Sequence, residues 1–473
     1  MPDEADLREA LRRFVSPLPP DELGRLYSRR ELAEDLDFMV GTMEEVHPDL
    51  FFRLGREGAA DAVANARHRL RDGLTRLEAY RELANLAAMF GDGHTKVRMP
   101  RDEYARWLEE GGGPFPLDVD CSGGELAVAR RIFQDPAIEP GSTIGSINGI
   151  AAHRILDSMI ALQGFASGEM SLSVVSRHFP LLLFLLYGRA SDYRITLEGR
   201  DVVLDGKEQA GTDPIPHETD VPYSYEIHAV DGYAVLDFRS FSAPDRFRSF
   251  AREMFGEIAS AGVRRLIVDL RNNGGGNSML TGEFVSYVTD RPFREKARTE
   301  LKVSRRIREY YSKLTRYFAR FPLSLLPARF VFPAPWKGRL GETVVESCHR
   351  RRPARRRPRF AGDLIVLTGP YTFSAASDFA AVIKDNGIGT IVGRPTGGLA
   401  TSYGDSYPFS LPNTHLECGV SHKLFVRPSG DETPKPLEPN FAFEADPGTA
   451  GDALMEYAIG LEPQRRRPEV GLG

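Results

Sequence analysis

A serine becomes a nucleophile by where it stands, and one serine in this chain stands in a suggestive place. The run Asp363-Leu-Ile-Val-Leu367 reads as a buried strand and Ser374–Asp385 as a helix, with Thr368-Gly-Pro-Tyr-Thr-Phe373 between them. Ser374 therefore falls where strand turns into helix. A hydroxyl there lies beside backbone N–H groups that lack a helical partner, and such donors can stabilise an oxyanion in acyl transfer. The plainer role for Ser374 or Thr372 is to cap the helix. A second strand end, Asp269-Leu-Arg-Asn-Asn-Gly-Gly-Gly-Asn277, lets the backbone approach a ligand closely and can aim N–H groups at an anion. It lacks the Lys-Ser/Thr ending of a nucleotide phosphate loop, and its plainer role is a tight turn.

A serine nucleophile needs a base, commonly a histidine or a desolvated lysine. Lys384 stands ten residues along the same helix, which carries it ~15 Å up the axis. The next lysine is Lys423. Of the ten histidines, His94 is best placed, in the glycine-flanked loop Gly91-Asp-Gly-His-Thr95 between a helix and a strand. Its plainer role is that of a turn residue. His415 and Glu417, two apart on a strand, share a face, but two ligands do not make a metal site. No metal and no cofactor are expected.

The elements that must position these residues can be read from periodicity. Leu32–Val46 repeats apolar residues at three- and four-residue steps, predicting a helix that His47-Pro48 ends. Helices follow at Asp61–Leu70 and Leu77–Phe90, then a strand over Thr95–Met99. After Gly111-Gly-Gly-Pro-Phe-Pro116 come short strands, the run Gly141-Ser-Thr-Ile-Gly-Ser-Ile-Asn-Gly149, and a hairpin of Tyr193–Leu197 with Asp201–Leu204. From Tyr225 onward, buried strands (Tyr233–Phe238, Arg265–Leu270, Asp363–Leu367, Gly389–Val392) alternate with helices (Asp245–Ala261, Ser278–Val288, Ser374–Asp385), predicting a layered α/β core with partly parallel strands. The expected organisation is a helical region over 1–110, a second module over 114–210, and a core split into 220–290 and 361–460 by an insertion, 291–360.

Composition bounds the class. The chain has 473 residues, is 41% hydrophobic and 27% charged, and has a net charge of −5, which suits an ordinary globular protein. The insertion departs from this, with 21 Lys/Arg against 5 Asp/Glu. Within it, Leu301–Phe321 predicts an amphipathic helix with a basic back, and Arg350–Arg359 a solvated loop. A one-signed patch near a cleft would favour an acidic substrate; nucleic acid is not expected as a partner. The longest apolar run, Phe179–Tyr187, is half the length of a membrane span. Three separate cysteines and an acidic beginning without a basic-plus-apolar leader lead us to expect a cytoplasmic protein.

Taken in order, Gly91–Thr95, Gly141–Gly149, Asp269–Gly276, Thr372-Phe-Ser-Ala-Ala-Ser-Asp-Phe379 and Val392-Gly-Arg-Pro-Thr-Gly-Gly398 resemble the tail-specific protease family. That family includes C-terminal processing proteases, the tricorn protease core and retinoid-binding repeats of photoreceptor matrix. The resemblance runs from about 30 to 445, excepting the insertion. It implies a crotonase-like (ClpP-like) layered α/β core, an N-terminal helical domain supplying the base, and a PDZ-like module around Gly141–Gly149. It further implies Ser374 as nucleophile, and the N–H groups of Ala375 and Gly275, or its neighbour Gly274, as the oxyanion hole. The processing branch places a lysine where Leu399 stands, so a Ser-Lys dyad is not implied. The tricorn branch takes a histidine from the N-terminal domain, here His94, oriented by a downstream acid, here Glu432 or its neighbour Asp431. Two departures stand out: Gly93 replaces a serine beside the histidine, and Asn440 replaces an aspartate. The implied activity is that of a serine peptidase acting on peptide or protein, with room for a homo-oligomer. The rivals are a retinoid- or lipid-binding protein of the same fold, with Phe179–Tyr187 lining its pocket, and a hydrolase or acyl transferase acting on a non-peptide ester or specialised peptide.

Overall fold

The computed structural model describes residues 14–15, 18–19, 24–129, 138–208, 221–318, 327–444 and 451–462. The acidic beginning of the chain lies outside them.

Helix α1 (Arg29–Val46) starts at a reciprocal capping box, with Ser28 and Glu31 each bonding the other's backbone N–H. It buries Leu32, Leu36, Met39, Met43 and Val46 along one stripe. Helix α2 (Gly55–Arg69) follows. Helix α3 (Arg76–Met89) uses the same device, Thr75 with Glu78. Beyond it lie the short strand β1 (Lys96–Val97) and α4 (Arg101–Glu109).

The second module is a four-stranded antiparallel sheet. Strand β2 (Ile144–Ile147) turns through Asn148-Gly149 into β3 (Ile150–Ala151), and β2 also pairs with β4 (Asp192–Leu197), which pairs with β5 (Arg200–Asp205). Asn148 and Gly149 both take positive φ, the backbone an Asn-Gly hairpin turn needs. Between β3 and β4 run α5 (Ala152–Ile160), α6 (Gly168–Arg177) and the apolar α7 (Phe179–Tyr187). Among the described residues no single helix is long and apolar enough to cross a membrane, and α6 and α7 are bent 89° from one another. Helix α7 instead puts Leu181, Phe184 and Leu185 into the helical core and Phe179, Leu182 and Leu183 into the core of its own module.

The third layer is a six-stranded sheet. Its order is β6 (Tyr223–His228), β7 (Tyr233–Phe238), β8 (Arg265–Asp269), β11 (Asp363–Thr368), β12 (Thr390–Gly393) and β15 (Phe441–Ala442). Only β6–β7 is antiparallel, and the rest pair in parallel. Alternate residues serve opposite faces, as the strand period requires. Leu266, Val268, Leu364 and Val366 meet α8 (Pro244–Ser260), α9 (Met279–Val288) and α11 (Ala375–Asp385), whereas Ile267, Ile365 and Leu367 meet the final helix α12 (Ala453–Gly460).

The insertion is part of the architecture. Its strands β9 (Arg298–Lys302) and β10 (Thr343–Ser347) join the hairpin β13 (Ser402–Ser410) and β14 (Glu417–Val426) in the order β10-β9-β14-β13, and β1 pairs with β14 as well. The expected helix over Leu301–Phe321 is corrected at its start to a strand ending at Lys302 followed by α10 (Arg305–Phe318), and its last three residues lie outside those described. Ile307, Tyr310, Tyr311 and Leu314 of α10 share one core with α1, α3, β13 and β14. The N-terminal helices therefore do not close on themselves; they pack across this second sheet. Much of the basic charge is matched locally. Arg306 pairs with Glu45, Lys337 with Glu346, Arg351 with Glu295, Arg356 with Glu283 and Arg359 with Asp290.

Candidate functional site

Strands β8 and β11 lie side by side and parallel, so their carboxyl ends, Asp269 and Thr368, emerge on one edge. Two loops meet there. In the first, Thr372 is tied to its surroundings by several bonds, three of which involve a side chain. Its hydroxyl donates to Leu270 O at 2.8 Å, its carbonyl accepts from Ser377 Oγ at 2.8 Å, and Gly369 N–H donates to its Oγ1 at 3.0 Å. Phe373 N–H then donates to Asn273 O at 3.0 Å, joining the second loop to the first.

This binding holds Ser374 at φ 54°, ψ −125°, a left-handed conformation that costs a β-carbon-bearing residue about 1–3 kcal/mol. Ser374 occupies the N-cap of α11, yet its side chain makes no capping bond. Its hydroxyl instead lies 2.9 Å from His94 Nε2, on a side chain 280 residues away in the chain.

His94 reaches Ser374 because its turn is fastened to the second sheet. Lys96 and Val97 of β1 pair with Gly419 and Cys418 of β14. Thr95 Oγ1 accepts from Ser421 N–H at 3.1 Å. The imidazole stacks on Phe373, centroids 4.8 Å apart, and Phe373 meets Phe165 edge-on at 5.2 Å. These rings explain Gly93. A β-carbon there would come within 2.6 Å of Phe165 and 3.0 Å of Phe373, so the position cannot carry a serine unless Phe165 moves. The lysines are elsewhere: Lys384 Nζ donates to Glu438 O at 2.6 Å, and Leu399 stands where a dyad lysine would.

The glycine loop presses against the nucleophile. A β-carbon on Gly275 (φ 102°) would lie 2.6 Å from Ser374 Cβ and 3.0 Å from Ala375 N. Buried Asn273 shapes this loop, its amide donating to Phe238 O at 2.6 Å and its carbonyl oxygen accepting from Gly275 N–H at 2.8 Å. The Gly275 N–H is therefore engaged. The N–H groups of Ala375 and Gly274 make no hydrogen bond among the described residues.

The structure does not bring the expected orienting acid to the imidazole. Glu432 does not reach the imidazole: its carboxylate is 64% exposed and accepts from Arg298 Nη1 at 2.6 Å. Arg298 stands on β9, so the insertion strand itself draws the glutamate outward. Asp431 is also turned away, its carboxylate accepting from Thr433 N–H and facing Lys435. The carboxylate that does face His94 is Asp92, whose Oδ1 lies 3.8 Å from Nδ1. Asp92 is buried, and its Oδ2 accepts from Thr95 Oγ1 at 2.6 Å. Burial by itself would raise this carboxyl, but hydrogen bonds and charge from His47 and His94 outweigh it and hold Asp92 well below the ordinary carboxylate range. Sequence reading passed over Asp92, His47 and Asn273. Asp92 was visible two residues before the histidine. His47 was visible only as the end of a helix.

The family model for peptidase family S41 matches residues 232–442, which span both strand ends and Ser374. No curated protein sequence matches the chain. Among solved structures, mature CPAF complexed with lactacystin superposes with a TM-score of 0.61 at 15% identity, covering 88% of this chain and 94% of that one. Mature CPAF superposes at 0.60 with 16% identity, covering 88% and 92%. At such identities the likeness is one of fold, and it extends over the helical region and second module as well as the matched segment. Residues 232–442 are thus similar to peptidase family S41, which supports a serine-type peptidase.

Proposed function

We propose that the chain cleaves peptide bonds through an acyl-enzyme, with Ser374 as nucleophile and His94 as base. The observation that carries this is the Ser374 hydroxyl. A serine at a helix N-cap ordinarily bonds the backbone of its own helix, whereas this one forgoes that bond for His94 Nε2 at 2.9 Å. An unprotonated Nε2 beside the hydroxyl is what proton abstraction requires.

As Ser374 Oγ attacks the carbonyl carbon, its proton passes to His94 Nε2 and the carbonyl oxygen gains negative charge. The Ala375 N–H at the start of α11 and the Gly274 N–H can receive that charge; Gly275 N–H serves only if it leaves Asn273. His94 then protonates the leaving amine, and water attacks the ester by the reverse sequence. The Ser-His-Glu arrangement implied by the tricorn branch would require Glu432 to part from Arg298. We read the split core as crotonase-like and the 114–210 module as PDZ-like. The free thiols Cys121 and Cys418, both buried, support a reducing compartment such as the cytoplasm.

The test is a fluorophosphonate probe on the wild type and Ser374→Ala. The wild type should label at one site and Ser374→Ala not at all. Equal labelling of the two, or none of a folded wild type, would sink the assignment.

A further inference from the structure

We infer that Asp92 and His47 form a buried relay that orients His94, in the place expected for Glu432. The inference rests on the Ser374–His94 reading above and adds two positioning residues to it.

The hydrogen-bond directions leave little freedom. If Ser374 Oγ–H donates to His94 Nε2, the imidazole proton sits on Nδ1. That Nδ1–H faces Asp92 Oδ1 at 3.8 Å, a loose contact of the kind that tightens once substrate is bound. The carboxylate cannot swing away. Oδ1 accepts from His94 N–H at 3.1 Å, and Oδ2 accepts from Thr95 Oγ1. On the far side stands His47, wholly buried between Phe52 and Tyr403. His47 Nδ1 accepts from Asp49 N–H at 3.0 Å, so its own proton sits on Nε2. That nitrogen lies 3.3 Å from Asp92 Oδ2, out of hydrogen-bond alignment but with no other polar partner among the described residues. The order is Ser374, His94, Asp92, His47.

A plainer role for Asp92 is to close the turn around Gly93. That role uses two acceptors, and an asparagine would fill it without burying a charge if its amide donated to Thr95 Oγ1 in place of accepting from it. A buried carboxylate flanked by two imidazoles has a use that an amide lacks. When His94 takes the serine proton it becomes an imidazolium, and Asp92 then faces a full positive charge that was absent before the reaction began. Such compensation favours the transition state over the ground state. The proton stays on His94 throughout, and none moves to Asp92 or His47. The other charged or titratable groups facing the pair are Lys96 from β1, Asp49 from the chain after α1, and Tyr403 with Glu300 behind it from the second sheet.

The test measures fluorophosphonate labelling rates of the full chain against pH. Asp92→Asn should remain folded and label ~10²–10⁴-fold more slowly, the scale for removing the charge behind a catalytic histidine. Its acid limb should move to lower pH, because the protonated base has lost its counter-charge. His47→Phe should slow labelling about tenfold, the scale for outer hydrogen-bond partners, while His47→Gln, which keeps a donor near Nε2, should recover most of it. Glu432→Gln should label like the wild type. The relay is overturned if folded Asp92→Asn labels within threefold of wild type, if its rate falls with no movement of the acid limb, or if Glu432→Gln is the slower variant. Should Asp92→Asn fail to fold, equal rates for His47→Phe and His47→Gln would overturn it instead. Labelling of Ser374→Ala would mark failure of the underlying site, whereas a dead Ser374→Ala beside an unimpaired Asp92→Asn would remove the relay alone.

Discussion

Replacing Gly275 by alanine would separate the shape of the oxyanion loop from its composition. The added β-carbon meets Ser374 Cβ at 2.6 Å, Phe373 O at 2.8 Å and Ala375 N at 3.0 Å, all inside ordinary contact distance. The neighbours belong to the turn that Thr372 fastens to Leu270 and Ser377, so no side-chain rotation relieves the clash. A left-handed φ of 102° adds strain of its own. The two costs are about 1–3 kcal/mol each, a large part of a total stability of about 5–15 kcal/mol. The protein should fold but melt lower, and the loop should stand off Ser374 by a fraction of an ångström to about 1 Å. A displacement of that size costs ~10²-fold in rate. Thermal melting by circular dichroism and the fluorophosphonate rate constant report the two effects separately. Gly256→Ala is the control, lying within α8 with nothing within 4 Å of its β-carbon; it should leave the rate unchanged and raise stability by about 0.5–1 kcal/mol. Wild-type labelling and an unchanged melting temperature for Gly275→Ala would refute the reasoning.

Two further expectations concern stability. Asp92 is held below its ordinary range in the folded state, so its charge favours folding above the unfolded carboxyl value of about 3.9 and less so as pH falls beneath it. The melting-temperature gap between wild type and Asp92→Asn should therefore be full at pH 5–7 and shrink below pH 4; a gap that widened with acid would contradict the assignment. Arg76 is buried against Asp102 and Glu103 and donates to Thr414 O at 2.8 Å, joining α3, α4 and the β13–β14 turn. Arg76→Met should cost about 3–5 kcal/mol in a denaturant titration, because it strands the Glu103 carboxylate. A loss under 1 kcal/mol would show that the acids find solvent.

The parts of the fold that were legible in the sequence are those with strong periodicity. The strand Tyr233–Phe238 has the predicted bounds, and α1, α3, α8 and α11 begin or end within a few residues of prediction. Such elements bury a regular stripe, and the stripe is written in residue types. Helices α4 and α6 and the full length of β13 and β14 were less legible. Ser402–Ser410 carries glycine, proline and five hydroxyl-bearing residues and becomes a strand by pairing with β14 along its length. The site divides in the same way. Ser374 and His94 stood out because turns flanked by small residues expose what they carry. Glu432 misled because a carboxylate's direction depends on the nearest cation, and Arg298 lies 134 residues upstream. Asp92 and His47 went unread because their partnership exists only after α1 and the histidine turn are packed against Tyr403.

The placing of the insertion follows from how the two halves of the site are held. Ser374 belongs to the parallel core sheet, and His94 hangs from the second sheet through β1 and β14. Their separation is then set by how firmly one layer is registered on the other. Two of the staples are ionic and a third is hydrogen-bonded, and they sit along the nucleophile helix. Arg427, directly after β14, forms a buried bidentate pair with Asp385 at the end of α11. Lys296, directly before β9, lies 3.4 Å from Asp378 on the first turn of α11 and rests over the Phe425 ring of β14. Arg294 receives Asn386 Nδ2 on its carbonyl and donates its guanidinium to Pro428 O. Two of these three cations come from the insertion, and the strand that follows them completes the sheet from which the histidine turn is suspended. A basic segment is what this position calls for, because α11 presents Asp378 and Asp385 toward the second sheet. The positive charge of the block, set against an acidic body, is in part the charge that fixes a serine and a histidine 2.9 Å apart across two layers.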